Sequence, residues 1–148
     1  MEWVIDKLKL IIPACDDYLL GLSHEKAGRL AEAFSAYSRS YENGYKKAAT
    51  NLATFYREDR RVAGVNVDFN KAYFLLLVAA EDGHARAMIN LALMHIQSKV
   101  PDAVYESKQE VNNKDTRLKY ANIWAEAAKL KGDPRGVGLV QQSLAKSP

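Results

Sequence analysis

The chain has 148 residues, 48% of them hydrophobic and 26% charged, with a formal net charge of +3 at pH 7. That length fits one domain, 1–148, able to bury a core, and the composition excludes a disordered chain. The 21 basic and 18 acidic residues are interspersed, which argues against the strong positive field of a nucleic-acid binder, and the single cysteine, Cys15, excludes an internal disulfide.

In chain order, Glu2–Ile12 carries Trp3, Val4, Leu8, Ile11 and Ile12 at helical spacing, and Pro13 predicts its end. Glu2 and Asp6 stand where a secretory leader would be basic. No stretch reaches the ~18 apolar residues of a membrane span. A cytoplasmic protein without membrane attachment is expected; a periplasmic chain whose leader had been removed would read the same way. A second helix over about Asp16–Ala27 opens on two acidic residues, suited to a helix N-terminus. Residues 1–28 are therefore read as N-terminal capping helices, turned by Gly28.

Beyond Gly28 the spacing predicts helical pairs. Arg29–Asn43 and Lys46–Glu58 meet at Asn43-Gly44. The second pair occupies Asn70–Leu93. Its first half, Ala72 to Ala80, is apolar on nearly every side and must be covered from more than one direction. Residues 98–113 form a longer polar insertion loop: Gly83 to Gly132 spans 49 residues, against 39 from Gly44 to Gly83. Asn113 or Asp115 can cap a third pair, which runs to Lys131 and resumes at Asp133-Pro134. Gln141–Pro148 is expected to fray.

Aligning Gly44, Gly83 and Gly132 reveals a repeat. Eleven residues before each stands alanine (Ala33, Ala72, Ala121), and four before, a small residue (Ser40, Ala79, Ala128). Four after come Ala48, Ala87 and Gly136, and eight after, Leu52, Leu91 and Val140. A looser column twelve after holds Tyr56, His95 and Leu144. The small columns let paired helices approach closely, while Tyr37, Leu75, Leu76 and Trp124 fill the space between pairs.

These residues resemble Sel-1-like repeats, relatives of the tetratricopeptide repeat. Ala79-Ala80-Glu81-Asp82-Gly83-His84-Ala85-Arg86-Ala87 is the best-matching stretch, and Lys131-Gly132-Asp133-Pro134 carries a variant of the turn. The resemblance spans about 32–144 and departs at Gly136, where alanine is usual, and at Leu52-Ala53 and Leu91-Ala92, where Leu-Gly is usual. It implies an all-α fold, a short α-solenoid of antiparallel helix pairs, with three repeats over 29–146. It also implies an adaptor, scaffold or assembly factor rather than an enzyme.

The residues agree on the absence of chemistry. His24, His84, His95 and Cys15 assemble no nucleophilic, metal-ligating or phosphate-binding pattern, so no catalytic residue, metal or cofactor is expected. His24 and His95 share a column with Tyr56, which predicts packing. Lys46, Lys47, Arg57, Arg60 and Arg61 could form a basic edge, but Glu58 and Asp59 interrupt it, and nucleic acid is not the expected partner.

In stacked pairs the first helices line the inner, concave face. Phe34 and Tyr73 lie ten before their glycines, and Ser38, Leu77 and Glu126 six before; Asn70 and Glu81 extend the stripe. Aromatic and aliphatic residues ringed by polar ones suit a protein partner. Tyr73 and Leu77 are either part of this groove or covered by neighbouring elements. The expected function is binding another protein. In its most specific form it is an inhibitor or immunity protein occluding a bacterial toxin or enzyme; the alternative is an adaptor in a signalling or envelope-assembly pathway.

Overall fold

The structure, a computed structural model, describes residues 1–146. Pro148 and the side chains of Leu8 and Leu10 lie outside the described residues. The described chain is helical without strands and forms two compact units, Met1–Asp68 and Phe69–Pro148.

The first unit contains α1 (Glu2–Lys26), α2 (Leu30–Glu42) and α3 (Ala48–Arg57). Helix α1 corrects the expectation of two capping helices, because it continues through Pro13. A proline inside a helix forfeits one backbone hydrogen bond and costs about 3 kcal/mol. Here Pro13 is exposed, while Ala14, Tyr18 and Gly21 are buried beside it, so the packing of the second half holds the helix together. The Ser40 hydroxyl donates to the Ala14 carbonyl at 2.6 Å, tying α2 to α1.

Tyr37 is the centre of this unit. Its ring lies 6.0 Å from that of Tyr18 and 6.4 Å from that of Phe55, and its hydroxyl accepts from the Asn51 amide at 3.0 Å. Burial pushes its pKa up to about 12. A Cβ on Gly21 would stand 2.5 Å from the Tyr37 ring. With Tyr37 held by Asn51 and fully buried, the ring has little room to retreat. Gly21→Ala is therefore expected to destabilise the chain by about 1–3 kcal/mol, despite the better helix propensity of alanine. Urea denaturation measures this directly, and an unchanged midpoint would show that Tyr37 yields freely.

The second unit contains α4 (Phe69–Glu81), α5 (Ala85–Ile96), α6 (Asp102–Glu106), α7 (Lys114–Leu130) and α8 (Arg135–Ala145). Helix α8, whose end from Gln141 was expected to fray, is helical to Ala145, close to the last described residue. Asn113 caps α7, its side-chain oxygen accepting from the Thr116 amide at 2.9 Å. Before α8, Asp133 accepts from the Arg135 amide at 3.2 Å and holds the Arg135 guanidinium at 2.6 Å. That hydrogen bonding keeps the Asp133 carboxyl below the usual carboxylate range.

The three aligned glycines sit at equivalent corners, with φ of +96° at Gly44, +90° at Gly83 and +92° at Gly132. At each corner the following amide returns to the residue four before the glycine: Tyr45 to Ser40, His84 to Ala79 and Asp133 to Ala128. This is the Schellman closure, which satisfies carbonyls left over at a helix end. Arg29 bonds to His24 in the same way around Gly28, which makes a fourth corner. The four tight columns are buried throughout, from Ala33, Ala72 and Ala121 to Leu52, Leu91 and Val140. The looser one divides: Tyr56 is half-buried, His95 buried and Leu144 exposed.

Within the second unit, Ala92 of α5, Ala121 and Ala125 of α7 and Val140 of α8 form one cluster. Gly136 now has a mechanical reason. A Cβ there would lie 3.2 Å from the Cα and Cβ of Ala125, tighter than helix packing ordinarily permits.

Residues 98–113 are not simply a polar loop. They contain α6, whose Tyr105 is fully buried. The Tyr105 hydroxyl lies 2.7 Å from His95 Nδ1, and Tyr73 approaches His95 Nε2 at 3.4 Å. A neutral imidazole offers one donor and one acceptor, so one tyrosine donates and the other accepts. The Tyr120 ring stacks on His95 at 5.4 Å, and its hydroxyl donates to Glu110 at 2.8 Å. Together with Lys119, that bond holds the Glu110 carboxyl below its usual range. The link is thus bolted to α5 and α7 by aromatic side chains.

Candidate protein-binding surface

Helix α4 decides where a surface is available. It buries Ala72, Tyr73, Leu75, Leu76, Ala79 and Ala80. Tyr73 is only 8% exposed and meets His95 edge-on at 5.8 Å. Burial raises its pKa. The expectation that Tyr73 is part of an open groove is therefore corrected: it is core.

Phe74, one residue on, is 60% exposed. Asn70, Phe74, Leu77 and Glu81 recur at helical spacing and occupy one side of α4, with Asn70 and Glu81 exposed and Leu77 half-buried. Of the expected binding residues, Asn70, Leu77 and Glu81 thus share one face of α4 with Phe74, and Tyr73 does not. Glu126 is exposed on α7 in the same unit.

Phe34 and Ser38 belong to the first unit, both half-buried and one turn apart on α2. The Phe34 ring packs edge-on against Phe55 at 5.4 Å and Tyr56 at 6.0 Å, so much of it serves internal packing. The basic residues considered for nucleic acid are partly engaged as well. Arg60 pairs with Glu25 at 3.3 Å and lies over the Phe55 ring at 4.4 Å, while Lys47 lies over the Tyr18 ring at 5.5 Å.

The histidines do not converge. His24 Nδ1 accepts from Arg29 at 2.9 Å, His84 Nε2 lies 3.1 Å from Asp82, and His95 is in the core. Burial lowers the His95 pKa to about 4. Among the described residues no group of three or more His, Cys, Asp or Glu could hold a metal ion, and no helix is long and apolar enough to cross a membrane.

No protein-family model matches the chain, and no curated protein matches it. Among solved structures it is similar to the crystal structure of a Sel1 repeat protein from Oxalobacter formigenes, 22% identical, with a TM-score of 0.57 over 91% of this chain and 59% of that one. The chain has a Sel1-like repeat fold. At that identity the likeness is one of fold, and it agrees with the glycine corners and buried small columns found in both units. The chain spans about three fifths of the length of that Sel1 repeat protein.

Proposed function

We propose that the chain is a non-enzymatic module that binds another protein through the exposed stripe of α4, with Phe74 as its anchor and Asn70, Leu77 and Glu81 around it. The observation that carries this reading is the exposure of a phenylalanine on an otherwise packed helix, flanked by polar residues. A rigid aromatic with a polar rim is the composition of interface hot spots. Glu126, and Phe34 and Ser38 in the other unit, are further candidates for contact. The Sel1-like fold supports the class of function.

In its most specific form the proposal is an inhibitor, such as an immunity protein, that occludes a toxin or enzyme through one tight face. An adaptor is the alternative, and it requires two faces occupied together. The stoichiometry of the purified complex separates them.

Phe74→Ala is expected to weaken partner binding about five- to tenfold or more, the usual cost of truncating an anchor. Its melting temperature should stay close to the parent's, because the ring is largely solvated already. Titration of the purified partner against both proteins is the test. Equal affinities would remove this face from the interface.

A further inference from the structure

Helix α1 has two apolar sides, and the fold uses only one. Ile11, Ala14, Tyr18, Gly21 and Glu25 mark the side turned to α2. On the adjoining side, Ile5, Ile12 and Leu19 recur every seven residues, with Cys15 and Leu22 three residues after the last two. Ile5, Ile12 and Leu19 are 51%, 58% and 60% exposed. Leu22 is exposed and Cys15 half-buried. Leu8 holds the remaining register position in the sequence; its side chain is outside the described residues. This 3-4 alternation is the seam of a coiled coil, with Ile5, Ile12 and Leu19 at one core position and Leu8, Cys15 and Leu22 at the other.

We propose that this seam pairs with the same seam of a second copy of the chain, the two α1 helices running antiparallel. In that register the layers among the described side chains are Ile5 against Leu22 and Ile12 against Cys15, each formed twice about a two-fold axis. Every layer is apolar, and the patch is complementary to itself, as an isologous interface requires. The charges beside the seam identify the occupant. On the flank away from α2 stand Lys9 and Asp16, seven residues apart. The antiparallel two-fold sets Lys9 of each copy against Asp16 of the other. Parallel pairing would instead set Lys9 beside Val4 and Asp16 beside Ile11, with no opposite charge in either case. Lys9 also lies 3.7 Å from Asp6 in its own chain, an exposed pair that is easily exchanged.

Sedimentation equilibrium of the full chain tests this. The expected mass at micromolar concentration is twice the 16.5 kDa of one chain. Ile12→Glu with Leu19→Glu should return it to one chain with unchanged far-ultraviolet dichroism, because both side chains are solvated in the isolated fold. Lys9→Glu and Asp16→Lys should each weaken the dimer about tenfold at low salt, and the two combined should restore it. The charge variants leave the apolar layers untouched, so they decide the matter even if the double glutamate variant fails to fold. A single-chain mass throughout, a dimer indifferent to Ile12→Glu with Leu19→Glu, or charge variants that do not rescue one another would overturn the proposal. So would single chains that bind phosphatidylcholine–phosphatidylserine vesicles through Ile12 and Leu19, which would assign the stripe to a lipid surface.

Discussion

Tyr105→Ala is expected to lower the stability of the chain by about 3–5 kcal/mol, the cost of removing a large aromatic from a filled core. Tyr105 is fully buried, its ring 5.5 Å from that of His95 and 5.7 Å from that of Tyr120, and its hydroxyl is bonded to His95. The deletion leaves a cavity and strands the polar Nδ1 of His95 in a place water does not reach. Tyr105→Phe separates the two effects, since it keeps the ring and loses only the bond, at about 1–3 kcal/mol. Chemical denaturation of both variants measures the difference. A Tyr105→Ala protein as stable as the parent would mean that 98–113 is a detachable loop rather than part of the core.

The second large effect is a dependence on pH set by His95. Burial depresses its pKa from 6.5 to about 4, so the folded chain refuses a proton that the unfolded chain accepts. Stability is complete above pH 6.5 and falls as pH drops toward 4, since the unfolded state binds more protons in that window. Crossing it fully removes about 3 kcal/mol. His95→Gln can still bond to both tyrosines but cannot charge. It should therefore lose stability less steeply than the parent between pH 6.5 and 5, a range above the ordinary carboxylate values. Urea midpoints at several pH values report this, and parallel slopes for the two proteins would contradict it.

Both effects arise from a cluster that the sequence showed only in part. The glycine corners and small columns were legible because they obey local rules. A left-handed corner selects glycine, and close helix approach selects small side chains, at fixed distances along the chain. His95 was legible as packing because it shares a column with Tyr56. Tyr105 was not, because it lies in a mostly polar link, 98–113, whose helix is only five residues long. Its burial depends on a histidine ten positions earlier and a tyrosine fifteen positions later. Pro13 follows the same logic: its local helix penalty is real, but the packing of Ala14, Tyr18 and Gly21 outweighs it.

The proposed stripe on α4 turns on a single residue. Tyr73 and Phe74 stand about 100° apart on α4, and the apolar run gives no periodicity from which to choose between them. The tyrosine hydroxyl suggests a rim position to the eye, yet His95 supplies its partner inside. The neighbouring buried pairs, Ala72 with Leu76 and Leu75 with Ala79, were the signal that places Phe74 outward. If the α1 seam also pairs, two α4 stripes come to belong to one assembly, which favours the bivalent, adaptor form of the function.

The most direct measurement compares Tyr73→Ala with Phe74→Ala, following thermal melting and capture of the purified partner for each. Tyr73→Ala should lose several degrees of melting temperature, whereas Phe74→Ala should melt with the parent and lose the partner. A Phe74→Ala protein that unfolds early while Tyr73→Ala remains stable, or that holds the partner at full affinity, would contradict the account.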